Sequence, residues 1–425
     1  MEYKKINKEN YTIHLVNTKR FKALNIVLFF TKKFDKNDIP FGNFLCSNLV
    51  YTSKKYNTKN KMAIAGENLY GARISSFFSI TGKCESFVFN LEFLNPKYTS
   101  PKYLDLSLDF LNEILFNPNI ENDGFKEEYF DILKKDAISN INAVKDNPNV
   151  YASREYSKIV YKGTPSAYSS TPELKDIESI TPQSLYEFYK TIFNGSYKID
   201  IVVHGEVEEN IIENIDYKFN NLIGNNDKLS FTINHKYSED LIEKTDSLPF
   251  NQSKLYMGYR LIDMDYHELN HVLKVYNTIL GTMNDSILFN IVRESNSLCY
   301  SIGSYVSVYN PLLTIYAGIN KDNYEKTVSL IKECVESMSD EKVIKRLFDS
   351  AKKTINTYLN SYYDDVTSQI NKYYHSEFEY KEDVESMREN INNVTIEEVM
   401  KLNDKIKLCT IYCMKGDNSS EKENI

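Results

Sequence analysis

The feature that most constrains the fold is an order of predicted elements that occurs twice along the chain. In the first half, two β-rich runs precede a pair of helices, a third strand, three longer helices and a closing strand. These segments are TIHLV (12–16), ALNIVLFF (23–30), FGNFLCSNLVYT (41–52), AGENLYGARI (65–74), SFVFNLEFL (86–94), 103–118, 125–148, 181–193 and KIDIVVHG (198–205).

After a polar stretch at 224–248, the second half returns to the same order. Its segments are SKLYMGYRL (253–261), the helices 266–281 and 285–294, CYSIGSYVSVY (299–309), LLTIYAGI (312–319), the helices 323–338, 340–375 and 395–406, and LCTIYCM (408–414). Two halves with one element order indicate an internal duplication. We therefore predict an α+β fold of two homologous domains, each a mostly antiparallel sheet covered by helices. The predicted domains are residues 1–228 and 229–425, with 224–248 as the linker.

Composition excludes several classes of function. The chain has 42% hydrophobic and 26% charged residues, as soluble globular proteins do, and a net charge of -8 argues against nucleic acid as a partner. No apolar run is long enough to span a bilayer, and the N-terminus MEYKKINKENYTIHLV has no secretory signal core. The six cysteines form no C-x-x-C pair, which favours reduced thiols and a cytoplasmic protein.

The stretch YHELNH (266–271) contains the pattern H-E-x-x-H, which on a helix can hold zinc with two histidines and use the glutamate as a base. Helical periodicity places His267 and His271 on one face, nearly opposite the apolar stripe, so we expect that face to meet solvent or a cavity. No third ligand is evident among the other histidines. The first interpretation is a solvated face; the alternative is a Zn²⁺ site closed by an acidic residue, with Glu268 as the base of an independent peptidase.

The segment SILFNIVRESNSLCYSIGSYVSVYNPLLTIYAGI (286–319) carries a resemblance to a known family. It resembles the second-domain signature of the insulinase and mitochondrial-processing-peptidase family, in which a helix reading L-F-x-x-V-R-E precedes a tyrosine. The pair here is Arg293 and Tyr300. The stretches QSKLYMGYR and VVHGEVEENI and the two-half organisation also fit, so the resemblance covers nearly the whole chain.

Active members of that family carry H-x-x-E-H on the first helix of the first domain and a third ligand, a glutamate, on a later helix. The resemblance aligns the first motif with Asn43, Phe44, Leu45, Cys46 and Ser47, and places the third ligand near Asn140. Both histidines and both carboxylates are therefore replaced. These side chains supply neither the ligand set of a catalytic zinc site nor a base to activate water.

The resemblance implies a zinc-less, non-catalytic subunit of a heterodimeric peptidase, similar to bacterial members associated with modification of elongation factor P. It implies a partner subunit that carries H-x-x-E-H and the zinc, a peptide substrate, and no catalysis or cofactor in this chain alone. Arg293 would hold a substrate carbonyl or carboxylate, and Tyr300 would donate to the developing oxyanion at the partner's zinc. A packing role for both residues, a peptide-binding or scaffold protein without hydrolysis, and the H-E-x-x-H peptidase remain as alternatives.

Overall fold

The computed structural model describes residues 1–207, 210–235 and 240–416. Within these residues the strands are β1 (Glu2–Asn7), β2 (Thr12–Asn17), β3 (Ala23–Lys33), β4 (Arg73–Thr81), β5 (Cys84–Leu94), β6 (Ile120–Glu121), β7 (Gly124–Phe125), β8 (Lys198–Gly205), β9 (Ile242–Leu248), β10 (Ser253–Leu261), β11 (Cys299–Ser307), β12 (Leu312–Ile319) and β13 (Ile406–Gly416). The two-residue strands β6 and β7 pair only with each other, and the others form two sheets.

Several helices begin at N-caps that can be predicted from the sequence. Examples are Thr181-Pro182 and the capping box Thr395-x-x-Glu398. The α-helices are α1 (Gly42–Tyr51), α2 (Lys59–Glu67), α3 (Lys102–Phe116), α4 (Glu127–Asp146), α5 (Pro148–Val160), α6 (Leu174–Ser179), α7 (Pro182–Ile192), α8 (Ile211–Lys218), α9 (Leu273–Asn277), α10 (Tyr324–Glu336), α11 (Glu341–Ser361), α12 (Val366–His375), α13 (Val384–Asn393) and α14 (Ile396–Leu402). Wider π-type turns, Glu268–Val272 and Thr278–Thr282, extend α9 into one longer helix, here the 268–282 helix. A further π-type helix spans Phe289–Ser295.

The first compact unit contains residues 1–143, 168–231 and 364–380. Its sheet has the order β1-β2-β8-β3-β5-β4, and all neighbours are antiparallel except β2 and β8. Because side chains alternate across a strand, Leu24, Ile26, Leu28 and Phe30 of β3 share one face, which is buried in the same apolar core as α1, α3 and α7. Each sheet residue on this face therefore packs on an amphipathic helix.

The second compact unit contains residues 144–167, 232–363 and the chain from 381 onward. Its sheet has the order β11-β12-β10-β13-β9. The strands β10, β11, β12 and β13 repeat the arrangement of β3, β4, β5 and β8, and β9 pairs in parallel with β13 as β2 does with β8. The predicted fold, two homologous sheets covered by helices, is confirmed.

Two helices lie in the unit that the other half of the sequence mainly forms. Helix α12 belongs to the first unit, where the Tyr374 hydroxyl lies 2.7 Å from Thr31 Oγ1 and the ring stacks on Phe29. Helix α5 belongs to the second unit, where the Tyr156 hydroxyl lies 2.9 Å from Thr314 Oγ1. Both tyrosines are buried and satisfy polar groups on sheet faces that the main helices do not cover. The predicted domain division at residues 228 and 229 stays a prediction.

Three predicted elements are wrong in place or type. The helix predicted at 65–74 ends earlier, because Tyr70 and Gly71 adopt positive φ angles of 58° and 77° and the strand β4 then begins. The linker predicted at 224–248 contains the strand β9, whereas its residues 236–239 lie outside the described part. The helix predicted at 340–375 breaks before Asp365, whose side chain caps α12.

Membrane insertion through a helix finds no support in the described residues, since no helix among them is both long and apolar enough to cross a bilayer.

Candidate functional site

Asn43 on α1, which the resemblance aligns with a zinc ligand, makes a hydrogen bond at each end of its side-chain amide. Its Oδ1 accepts from the backbone N–H of Phe78 on β4 at 2.9 Å, and its Nδ2 donates to the carbonyl of Ser170 at 3.1 Å. The amide thus joins α1 to an edge strand and to a loop. The only metal-binding atom of an Asn side chain is Oδ1, and here Oδ1 accepts a backbone hydrogen bond.

The other two positions of the degenerate motif cannot replace a carboxylate and an imidazole. Cys46 is 1% exposed, and burial raises the pKa of its thiol to about 12, so it stays protonated at neutral pH. Ser47 is exposed, and its hydroxyl donates to the carbonyl of Asn43 at 2.9 Å. The residues of α1 therefore do not fit a catalytic zinc ion.

The predicted third-ligand position, Asn140, lies on α4 and is exposed. Among the described residues, none of the four degenerate positions belongs to a group of three side chains able to hold a metal ion. The resemblance aligns these four residues with a zinc centre, and their side chains do not fit one.

A separate group of possible metal ligands, His14, Asp200 and Glu377, lies in the first unit. His14 Nε2 is 3.2 Å from Asp200 Oδ1, but Lys198 Nζ contacts both oxygens of Asp200 at 2.5 and 2.7 Å. Lys5 Nζ is 2.5 Å from Glu377 Oε1. Two ammonium groups neutralise the two carboxylates, so this group is an ion-pair network that fixes residue 377 to the sheet.

The predicted substrate residues Arg293 and Tyr300 are both exposed in the second unit. The Arg293 guanidinium lies 4.8 Å from the ring centre of Phe289, and its nearest carboxylate is Glu294 at 3.7 Å. The Tyr300 side chain, 60% exposed at the start of the edge strand β11, donates to Asn320 Oδ1 at 3.2 Å. Neither side chain is buried in a hydrophobic core. Their roles in substrate binding stay a prediction.

Backbone hydrogen bonds to the end of the 289–295 helix fix the loop between these two residues. Ser297 adopts a positive φ of 52°, and its N–H donates to the carbonyl of Arg293 at 2.9 Å. The N–H of Leu298 donates to the carbonyl of Val292 at 3.1 Å. These bonds satisfy the last carbonyls of the helix and set the short path from Arg293 to β11.

The H-E-x-x-H histidines lie on the 268–282 helix in an arrangement that the sequence pattern did not predict. His267 Nδ1 and His271 Nδ1 face each other at 3.0 Å. His267 Nε2 lies 3.2 Å from Glu398 Oε1, and His271 Nε2 lies 2.5 Å from Glu382 Oε1. The expectation of a solvated face is wrong for His271, which is 2% exposed because Glu382 covers it and supplies its partner.

Glu268, the glutamate of this pattern, is bonded to other groups of the protein and is not placed to act as a base. Both of its carboxylate oxygens lie 2.7 Å from Lys405 Nζ, and Oε2 also accepts from the backbone N–H of Asp265. These bonds join Glu268 to Lys405 and to the start of its own helix. Glu268 thus acts as a structural residue.

The partners of the histidines, Glu382 and Glu398, were missed from the sequence because each lies more than a hundred residues from its histidine along the chain. Only Glu398 carried a local signal, as the last residue of the capping box that begins at Thr395. Although burial raises its pKa, hydrogen bonds from Thr395 and then His267 hold the pKa of Glu398 below its usual value. Glu398 is therefore ionised beside His267.

Comparison with known proteins shows what this chain is similar to. Residues 179–355 match the family model described as Peptidase M16 inactive domain. The chain is 28% identical over 422 residues to the "Probable inactive metalloprotease YmfF" of Bacillus subtilis (strain 168), covering 95% of this chain and 96% of that protein.

Two solved structures share the fold. A conserved protein from Enterococcus faecalis V583 superposes with a TM-score of 0.91 and 22% identity, covering 98% of this chain and 99% of that one. A peptidase M16 inactive domain from Pseudomonas fluorescens superposes with a TM-score of 0.79 and 18% identity over the same shares. The resemblance predicted from the residues is confirmed: part of the chain matches the model of the M16 inactive domain, and nearly the whole chain is similar to a probable inactive metalloprotease.

Proposed function

We propose that this chain is the zinc-less subunit of a two-chain M16-type peptidase. It completes a chamber with a zinc-bearing subunit that carries H-x-x-E-H, and it binds the peptide substrate. The observation that carries this proposal is the state of α1, where Asn43 is committed to backbone hydrogen bonds and Cys46 is a buried neutral thiol. A homologue without the ligand set retains the fold but needs its chemistry from another chain.

Peptide binding is supported by the edge strands of the two sheets. The strands β4 and β11 each end a sheet and pair with one neighbour among the described residues. Exposed aromatic side chains mark these edges, with Phe77 on β4 48% exposed and Tyr305 on β11 41% exposed. An extended peptide can add to such an edge through backbone hydrogen bonds, while neighbouring side chains select its residues.

Arg293 and Tyr300 are proposed to reach the substrate at the partner's zinc site. A guanidinium that keeps much of its surface exposed can grip a carbonyl or carboxylate with two donors. The Tyr300 hydroxyl, which now donates to Asn320, can turn its proton toward an oxyanion. Neither role requires a metal in this chain.

The test is reconstitution with a zinc-bearing M16 subunit from the same genome, with peptide cleavage and complex formation measured separately. Tyr300→Phe removes only the hydroxyl and should lower kcat by about 100-fold if the hydroxyl stabilises the oxyanion. Arg293→Lys keeps the charge but loses the forked donor pair, so it should raise KM. Tyr358→Phe, a tyrosine of nearly equal exposure (59%) on α11 of the same unit, is the matched control and should cleave as the wild type does.

Size-exclusion chromatography of each mixture reports assembly. Unchanged cleavage by Tyr300→Phe and Arg293→Lys in an intact complex would remove the catalytic assignments of both residues. Formation of a complex that cleaves no faster than the zinc subunit alone would favour the alternative, a peptide-binding or scaffold protein without a hydrolytic role.

A further inference from the structure

The two histidines of the H-E-x-x-H segment are arranged differently from those of a zinc peptidase. In the H-E-x-x-H helix of a zinc peptidase, the two histidines bind the metal and the glutamate acts as the base. Here the two histidine rings turn their Nδ1 atoms toward each other at 3.0 Å, while both Nε2 atoms point outward to carboxylates. The arrangement lies wholly within the second unit.

The carboxylates are fixed independently of the histidines. Glu398 Oε2 accepts from the backbone N–H and from the hydroxyl of Thr395, both at 2.7 Å. Glu382 Oε2 accepts from Asn390 Nδ2 at 2.8 Å. The other oxygen of each carboxylate, Oε1, is therefore available to bind the Nε2 atom of an imidazole and to orient the ring.

The geometry of the two rings favours metal binding at Nδ1. Each Nε2 lies within hydrogen-bond distance of a carboxylate oxygen, and a neutral imidazole that donates from Nε2 presents a lone pair at Nδ1. Two lone pairs that face each other at 3.0 Å repel unless a cation lies between them. That cation is either a single shared proton or a metal ion.

We propose that His267 and His271 form a site for a borderline divalent cation such as Zn²⁺, bound through their Nδ1 atoms and displacing one proton. Tetrahedral Zn²⁺ holds nitrogen ligands at about 2.0–2.1 Å, which sets two of them roughly 3.3 Å apart. The observed separation needs to widen by only a few tenths of an ångström. Histidines that ligate metals commonly donate the other ring N–H to a carboxylate, as both do here.

The site is structural and goes beyond the proposed function. Glu268 is paired with Lys405, so it supplies no base, and two protein ligands leave the remaining positions to water. Bound cation would join the 268–282 helix more tightly to Glu382 and to α14 through the two carboxylates. The expected effect is stabilisation of the second unit without peptidase activity.

Calorimetric titration of the full chain with Zn²⁺ tests the proposal. The wild type should bind one equivalent that His267→Ala loses, and the heat in buffers of different ionisation enthalpy should report release of one proton. Because the His267 side chain is 41% exposed, alanine there leaves the fold intact, which circular dichroism verifies.

Two further variants separate this site from a zincin centre. Glu398→Gln should weaken Zn²⁺ binding by about 10–100-fold, as loss of an orienting carboxylate does. Glu268→Gln should leave binding unchanged, because Glu268 is not a ligand. Identical isotherms for the wild type and His267→Ala, or equal weakening by Glu268→Gln and Glu398→Gln, would overturn the proposal. Neither result bears on cleavage by a reconstituted pair.

Discussion

The hydrogen bonds of Asn43 predict that its replacement by alanine lowers the stability of the protein. Replacement of Ser47, one turn along the same helix, should not. Asn43→Ala removes two hydrogen bonds to backbone groups, each of which contributes about 1 kcal/mol net. Phe78 is buried, and its N–H then lacks a partner, which costs about 1 kcal/mol more. The better helix propensity of alanine returns about 0.5 kcal/mol, so the net loss is about 2.5 kcal/mol.

Ser47→Ala is the matched control on the same helix, because Ser47 is exposed and its hydroxyl bonds only to the carbonyl of Asn43. We expect its effect to lie within about 0.5 kcal/mol of zero. Urea unfolding followed by far-ultraviolet circular dichroism measures both variants. With a slope of about 2.5 kcal/mol per molar urea, Asn43→Ala should lower the midpoint of the first unit's transition by about 1 M. Equal midpoints for Asn43→Ala and Ser47→Ala would refute the structural role of the amide.

Three further predictions concern other buried or strained groups. Tyr156→Phe removes the buried hydrogen bond to Thr314 and should destabilise the second unit by about 1–2 kcal/mol in urea unfolding; a stabilised variant would contradict this. Burial, and then a hydrogen bond with Asp38, raises the pKa of Glu85 to about 9, so the stability that this group contributes to the first unit should be complete below about pH 5 and decrease as the pH rises toward 9. Glu85→Gln should flatten that profile of urea midpoint against pH, and parallel profiles for the two proteins would count against it. Ser297→Gly relieves a positive φ and should raise stability by about 0.5–1 kcal/mol, which thermal unfolding checks; a lower melting temperature would contradict it.

The duplicated order of elements was enough to predict the fold, because hydrophobic periodicity reports which faces of strands and helices are buried. It could not reveal that α5 and α12 lie with the sheet of the opposite half, since an amphipathic helix does not encode which apolar face it meets. The strand β9, IEKTDSL, was missed for a related reason. It is an exposed edge strand, so it lacks an apolar face that would mark it.

The candidate site, like the fold, could be predicted from the sequence only in part. The residue types at Asn43, Cys46 and Ser47 can be read directly from the sequence, and the prediction that they do not form a zinc site depends only on them. The hydrogen bonds of Asn43 and the burial of His271 depend on β4 and on Glu382, which are distant along the chain. Side chains brought together by tertiary contacts leave no periodic signal in the sequence.

The central claim is that this chain has no hydrolytic centre of its own, and cleavage by the purified chain tests it most directly. Peptide mixtures incubated with the chain and excess Zn²⁺ should show no cleavage above buffer. Addition of a zinc-bearing M16 subunit should then produce cleavage faster than that subunit achieves alone. Turnover by the isolated chain that disappears in Glu268→Gln would contradict the account.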